Sequence, residues 1–110
     1  MKKQLSFPQG FWWGAASSGP QTEGQFDKAH DNVMDYWFRT TTEAFFNGVG
    51  PDVASDFYHT YPEDFRLMKE IGFNSFRTSI QWSRLIKDFE TGEADPKAME
   101  FYNHKFLGDL

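Results

Sequence analysis

At 110 residues the chain has room for one small domain. Its net charge of −5 argues against nucleic acid as a partner, because phosphate binding wants an excess of Lys and Arg. With no cysteine it can form neither a disulfide framework nor a thiolate site, which fits a reducing compartment.

Met1-Lys2-Lys3 is followed by no apolar run of signal-peptide length, and no segment has the length to span a bilayer. The expectation is a cytoplasmic protein with no membrane partner. Pro8-Gln9-Gly10 is a turn signal. After it, Trp12 to Ala16 reads as a short strand, apolar on both faces, as in a parallel strand covered on both sides; periodicity alone leaves a buried helix as the alternative. Small residues through Gly19 allow something to approach the backbone closely, and Gln21 and Glu23 follow at the strand's end.

A long polar stretch runs from Gln25 to about Ser55. Within it Asp31 is placed to cap a short helix through Arg39, with Val33, Tyr36 and Trp37 at helical spacing. Asn47-Gly48-Val49-Gly50-Pro51 breaks the chain. A connection of this length in a compact domain suggests a functional rim.

Thr60-Tyr61-Pro62-Glu63 reads as a capping box opening a helix. Phe65, Met68 and Ile71 form its apolar face, with Leu67 beside them, and Gly72 supplies a left-handed stop. From Ser75 to Ile80, Phe76, Thr78 and Ile80 alternate with Arg77 and Ser79, which is strand spacing. Phe89 to Asp95, containing Thr91-Gly92, reads as a loop. Asp95-Pro96 then caps a last helix running toward Leu110, with Met99, Tyr102 and Phe106 on one side and Gly108 as a stop. The order is strand, excursion, helix, strand, helix: an α/β chain with parallel strands joined by a crossover.

Aromatic residues make up 19% of the chain, including 13 Phe. Packing in a core accounts for most Phe; for Trp13 and Trp82, stacking on a sugar ring is an equal reading. Gln21 offers donors and an acceptor in one plane, a geometry that grips neighbouring hydroxyls or, alternatively, its own turn. Arg77, mid-strand, either faces an anion or lies exposed at an edge. Glu23 reads as a structural group around the site, and His59 as a buried hydrogen-bonding residue. The three His show no metal spacing, no Gly-rich phosphate loop is present, and neither metal nor cofactor is expected.

Phe11, Trp13, Gly14, Ala16, Ser18, Gly19, Gln21 and Glu23 together resemble the N-terminal signature of glycoside hydrolase family 1. Pro20 and Gln25 depart from it. Asp52 to Asp64 resembles the family's lead-in to its first barrel helix, Arg77 to Arg84 its second strand and following turn, and Phe101-Tyr102-Asn103 the opening of its second helix. Ser18-Gly19-Pro20-Gln21 is similar to the 6-phospho-β-glucosidase branch.

The resemblance implies the N-terminal part of a (β/α)8 TIM barrel, with residues 1–110 as one incomplete segment, since a whole barrel needs roughly 250 residues. It implies retaining hydrolysis of β-glycosidic bonds, 6-phospho-β-glucosides first among substrates. A plain β-glucosidase and a 6-phospho-β-galactosidase are alternatives. Gln21 would bind sugar hydroxyls, and Arg77 would contact and support the nucleophilic glutamate. Glu23, Trp82 and His59 would stand around them. Both catalytic glutamates would come from strands beyond these residues, so no catalytic residue lies in this chain and the segment alone is expected to be inactive. The partners implied are a sugar or sugar phosphate and the remainder of the barrel. From a different class, a small carbohydrate-binding module or an assembly subunit fits the aromatic content.

Overall fold

The computed structural model of the chain describes residues 2–105. Its organising feature is a parallel pair of short strands, β1 (Gly14–Ala16) and β2 (Ser75–Arg77), with Gly14 opposite Ser75, Ala15 opposite Phe76 and Ala16 opposite Arg77. Small side chains at β1 permit the close approach: a Cβ on Gly14 would stand 2.0 Å from the Ser75 carbonyl oxygen. The amino end is pinned by Asn74, whose Oδ1 accepts from the Trp13 N–H at 2.8 Å. Both strands are shorter than the sequence suggests. Trp12 and Trp13 lie outside the ladder. Beyond Arg77 the chain turns toward other partners, Ser79 Oγ accepting from the Gly19 N–H and the Gln81 N–H bonding Tyr102 OH.

The long helix α3 (Phe57–Glu70) connects the strands, making a βαβ unit. It begins three residues before the expected capping box. Asp56 stands at its N-cap in the left-handed conformation (φ 50°) without a capping bond, and Pro62 lies inside the helix. Thr60 Oγ1 bonds the Asp56 carbonyl and Asp64 instead of an orphan N–H. Burial of Phe57 explains the earlier start, since its ring packs on Phe65 and Phe76 and needs the first turn to hold it there. Gly72 ends the segment as expected, at φ +89°, a region a side chain disfavours.

The core is aromatic. Phe57, Phe65, Phe101 and Tyr102 are buried, with Tyr58, Tyr61, Met68, Phe76 and Leu85 packed around them. Edge-to-face pairs such as Phe65–Phe76 and Tyr61–Phe101, centroids 5.5 and 5.4 Å apart, knit α3 to β2 and to α5 (Pro96–Asn103). Asp95 caps α5, accepting from the Lys97 and Ala98 N–H groups, with Pro96 in the first turn. The buried face of α5 is Ala98, Phe101 and Tyr102, continued by Lys105 after the helix. It is rotated from the expected one: Met99 is exposed, and Phe106 and Gly108 lie outside the described residues.

In the excursion, α1 (Gly19–Thr22) is a single turn and α2 (Val33–Thr40) is capped one residue later than expected. Asn32 Oδ1 accepts from the Asp35 N–H while Asp35 Oδ2 accepts from the Asn32 N–H, a reciprocal box. Asp31 pairs with Arg39. Val33, Tyr36 and Trp37 are exposed, whereas Asp35 is fully buried. Two 3-10 turns, Thr42–Ala44 and Phe46–Gly48, carry the chain through Asn47 at φ 55°.

After β2 the chain makes a short helix α4 (Trp82–Leu85) and an antiparallel hairpin, β3 (Ile86–Asp88) with β4 (Glu93–Ala94). The expected loop at Thr91-Gly92 is the hairpin tip; the flanking strands are too short to show a period of two. Burial of the parallel strands on both faces is expected of a whole barrel; within the described residues β1 is exposed and β2 mostly half-buried. Gly14–Ala16 are exposed, because β1 has β2 as its one sheet neighbour and no second layer covers it. Among the described residues no helix is long and apolar enough to cross a membrane.

Candidate functional site

Parallel pairing brings the carboxyl ends of β1 and β2 to the same side. In α/β sheets that end gathers ligand-binding groups. The Ser17 N–H bonds the Arg77 carbonyl at 2.7 Å, extending the contact past the ladder. Gln21, in α1, is exposed, its Oε1 accepting from Ser18 Oγ at 2.9 Å. Arg77 ends β2, also exposed, and its Nη1 donates to the Ser17 carbonyl at 3.2 Å. Among the described residues it forms no ion pair.

Beneath this rim lies a polar cluster that the sequence does not announce. Glu23 is fully buried. Its Oε1 accepts from Lys105 Nζ at 2.7 Å, and its Oε2 from Gln81 Nε2 at 2.7 Å and Arg84 Nε at 3.1 Å. Tyr102 OH lies 3.1 Å from Oε2. Arg84 also donates to the Phe26 and Gly24 carbonyls and stands 4.3 Å over the Tyr58 ring. Burial pushes the Tyr102 phenol well above its ordinary range, and the Glu23 charge adds to the effect. Burial lowers the Lys105 ammonium, against the pull of Glu23. A second buried pair, Lys28 with Asp35, lies alongside. Gln81 joins the two, its Oε1 accepting from Lys28 Nζ at 3.2 Å and Asn32 Nδ2 at 2.7 Å.

The remaining sequence-derived candidates lie apart. Trp82 is 67% exposed, so its indole is free of the core. His59 is exposed rather than buried, because it sits on the solvent side of the first turn of α3. Its Nδ1 contacts Asp56 Oδ1 at 2.7 Å and its ring meets Phe26 edge-on. It lines a groove of about 410 Å³ with Tyr58, Lys97, Glu100 and His104, a lining that includes neither Gln21 nor Arg77. Among the described residues no cluster of three or more His, Cys, Asp or Glu could hold a metal. Gln81, Arg84 and Lys105 are absent from the sequence-derived candidates. The one available signal was Tyr102 and Lys105 three apart on a helical face that also buries Phe101.

A parallel βαβ unit with polar groups gathered at the carboxyl ends of its strands is the opening of a (β/α)8 barrel. The family model for glycosyl hydrolase family 1 matches residues 3–108, and the chain belongs to that family. It is 51% identical over 104 residues to the 6-phospho-beta-glucosidase GmuD of Bacillus subtilis, covering 93% of this chain and 22% of that protein. It is 39% identical over 101 residues to Beta-glucosidase A of Acetivibrio thermocellus, covering 90% of this chain and 22% of that one. Among solved structures, the family 1 β-glucosidase from Thermotoga maritima superposes with a TM-score of 0.79 at 34% identity, over 89% of this chain and 22% of that chain. The AHE enzyme from Alicyclobacillus herbarius gives 0.80 at 33%, over 94% and 23%. The chain thus spans less than a quarter of the length of these relatives.

Proposed function

We propose that residues 1–110 form the first segment of a single β-glycosidase barrel. The complete enzyme hydrolyses β-glycosidic bonds with retention, 6-phospho-β-glucosides being its substrates. The observation that carries this reading is the placement of Arg77 at, and Gln21 beyond, the carboxyl ends of two strands that run the same way. Gln21 is solvent-facing, and its amide can grip adjacent hydroxyls of one sugar. Arg77 supports the charge of a nucleophilic glutamate contributed by a later strand. Trp82 and His59, which lie apart from these two residues, take no part in the chemistry in this reading.

Glu23 is not a catalytic acid in this reading. Retaining enzymes place two carboxyl groups roughly 5–5.5 Å apart and open to substrate, whereas Glu23 is closed off from solvent among Lys105, Arg84 and Gln81. The 110-residue chain alone is therefore inactive, and the free edges of β1 and β2 pair with strands of the remaining barrel. The phosphorylated substrate is favoured by the 51% identity to GmuD, set against 39–43% to the β-glucosidases of Acetivibrio and Arabidopsis.

The test is an assay of the full-length enzyme with nitrophenyl β-glucoside and its 6-phosphate. Higher kcat/KM on the phosphate is expected; preference for the plain glucoside moves the assignment to a β-glucosidase, and turnover of neither overturns it. In the same assay Gln21→Ala lowers kcat/KM by roughly tenfold to a hundredfold, the loss of two ordinary hydrogen bonds. Sustained turnover by the 110-residue chain would show that the catalytic groups had been misplaced.

A further inference from the structure

We propose that Gln81 is the positioning residue that holds the Gly19–Glu23 turn, and with it Gln21, against the carboxyl end of β2. This rests on the reading of Gln21 as the sugar-binding amide.

Gln81 is 5% exposed and follows β2 by four residues. Its backbone N–H is bonded to Tyr102 OH at 3.0 Å. Its side chain is sorted by polarity: the carbonyl oxygen faces Lys28 and Asn32, and the amide nitrogen faces the Glu23 carboxylate. A primary amide presents an acceptor and a donor on opposite sides of one plane. Glutamate in its place would keep the first set of bonds but turn an acceptor toward Glu23. Methionine would match the length and satisfy neither side.

The turn is held at both ends by the segment that contains this residue. At its start, the Gly19 N–H bonds Ser79 Oγ at 3.0 Å, and the Gln81 stem passes so near that a Cβ on Gly19 would lie 2.4 Å from Gln81 Cγ. At its end, Glu23 Oε2 accepts from Gln81 Nε2 at 2.7 Å. Gln21 lies between these two anchors. Gln81 touches the turn at both anchors, and together with Ser79 at one end and Arg84 at the other it fixes where Gln21 sits relative to Arg77.

The experiment is a double-mutant cycle in the full-length enzyme, with Gln81→Met and Gln21→Ala singly and together, read as kcat/KM on the preferred glucoside. Positioning through Gln21 predicts that Gln81→Met costs about tenfold in the parent and less than about twofold once Gln21 is alanine. Equal costs in both backgrounds overturn the proposal. Hydrogen exchange of the Gly19, Gln21, Thr22 and Glu23 amides, compared between the parent and Gln81→Glu, gives a second reading that needs no catalysis. Faster exchange there, with α3 unchanged, supports the assignment, and unchanged exchange of the turn refutes it. A parent enzyme that cleaves no β-glycoside removes the sugar-binding reading of Gln21 and leaves the exchange comparison to decide the role of Gln81.

Discussion

Gly14 stands against Ser75 so closely that a methyl group on it would meet both the Ser75 carbonyl oxygen, at 2.0 Å, and its Oγ, at 2.2 Å. The obstacle is backbone as well as side chain, so rotation of Ser75 alone cannot relieve it. Gly14→Ala is expected to push the strands apart and lower stability by about 1–3 kcal/mol, the range for overpacking. A urea midpoint equal to the parent's would mean that the ladder tolerates wider spacing.

Arg84 links Glu23 to the carbonyls of Gly24 and Phe26 through its planar fork. Arg84→Met removes that fork from a fully enclosed carboxylate and is expected to cost about 3–5 kcal/mol. Arg84→Lys recovers little of this, because a single ammonium cannot reach acceptors spread around a guanidinium plane. The comparison is Arg66→Met on the exposed face of α3, where the pairs with Glu63 and Glu70 are solvated and expected to contribute little. Similar denaturation midpoints for the two methionine variants would show the buried cluster to be energetically idle.

Tyr102 gives the fold an alkaline limit. Its phenol ionises above the ordinary value of 10 in the folded chain, so its contribution is complete below pH 10 and is lost as pH rises through the folded value. Lys105 has the opposite sign. Its folded value is lowered, so its contribution grows as pH rises toward the ordinary 10.5. Tyr102→Phe separates the two: it should abolish the latest part of the absorbance rise at 295 nm and flatten the decline in stability above pH 10. Loss of amplitude from the early rise near pH 10, in place of the latest part, would put the Tyr102 hydroxyl in water.

The parallel strand pair, the Gly72 stop and the Asp95-Pro96 cap were legible because each is written in adjacent residues or in a repeating period. The start of α3 was not. Thr60 and Glu63 satisfy the capping pattern, but it competes with packing of Phe57 three residues earlier, and packing wins. The side of α5 that turns inward could not be read either, since Met99 and Ala98 are both acceptable to a core and only the rings of α3 choose between them. Gln21 and Arg77 were candidates by chemical type and position, but only likeness to a family decided between the two readings open for each. The cluster around Glu23 was hidden for a simpler reason: apart from Tyr102 and Lys105, its members lie on separate segments with no fixed spacing to find.

That lack of spacing bears on how the chain acquires its shape during synthesis. Glu23 lies 58 residues ahead of Gln81, 61 ahead of Arg84 and 82 ahead of Lys105. Its carboxylate leaves the ribosome long before any of these cations or amides exists to receive it. The segment carrying Gln21 therefore stays hydrated and unlocked until the last helix has emerged.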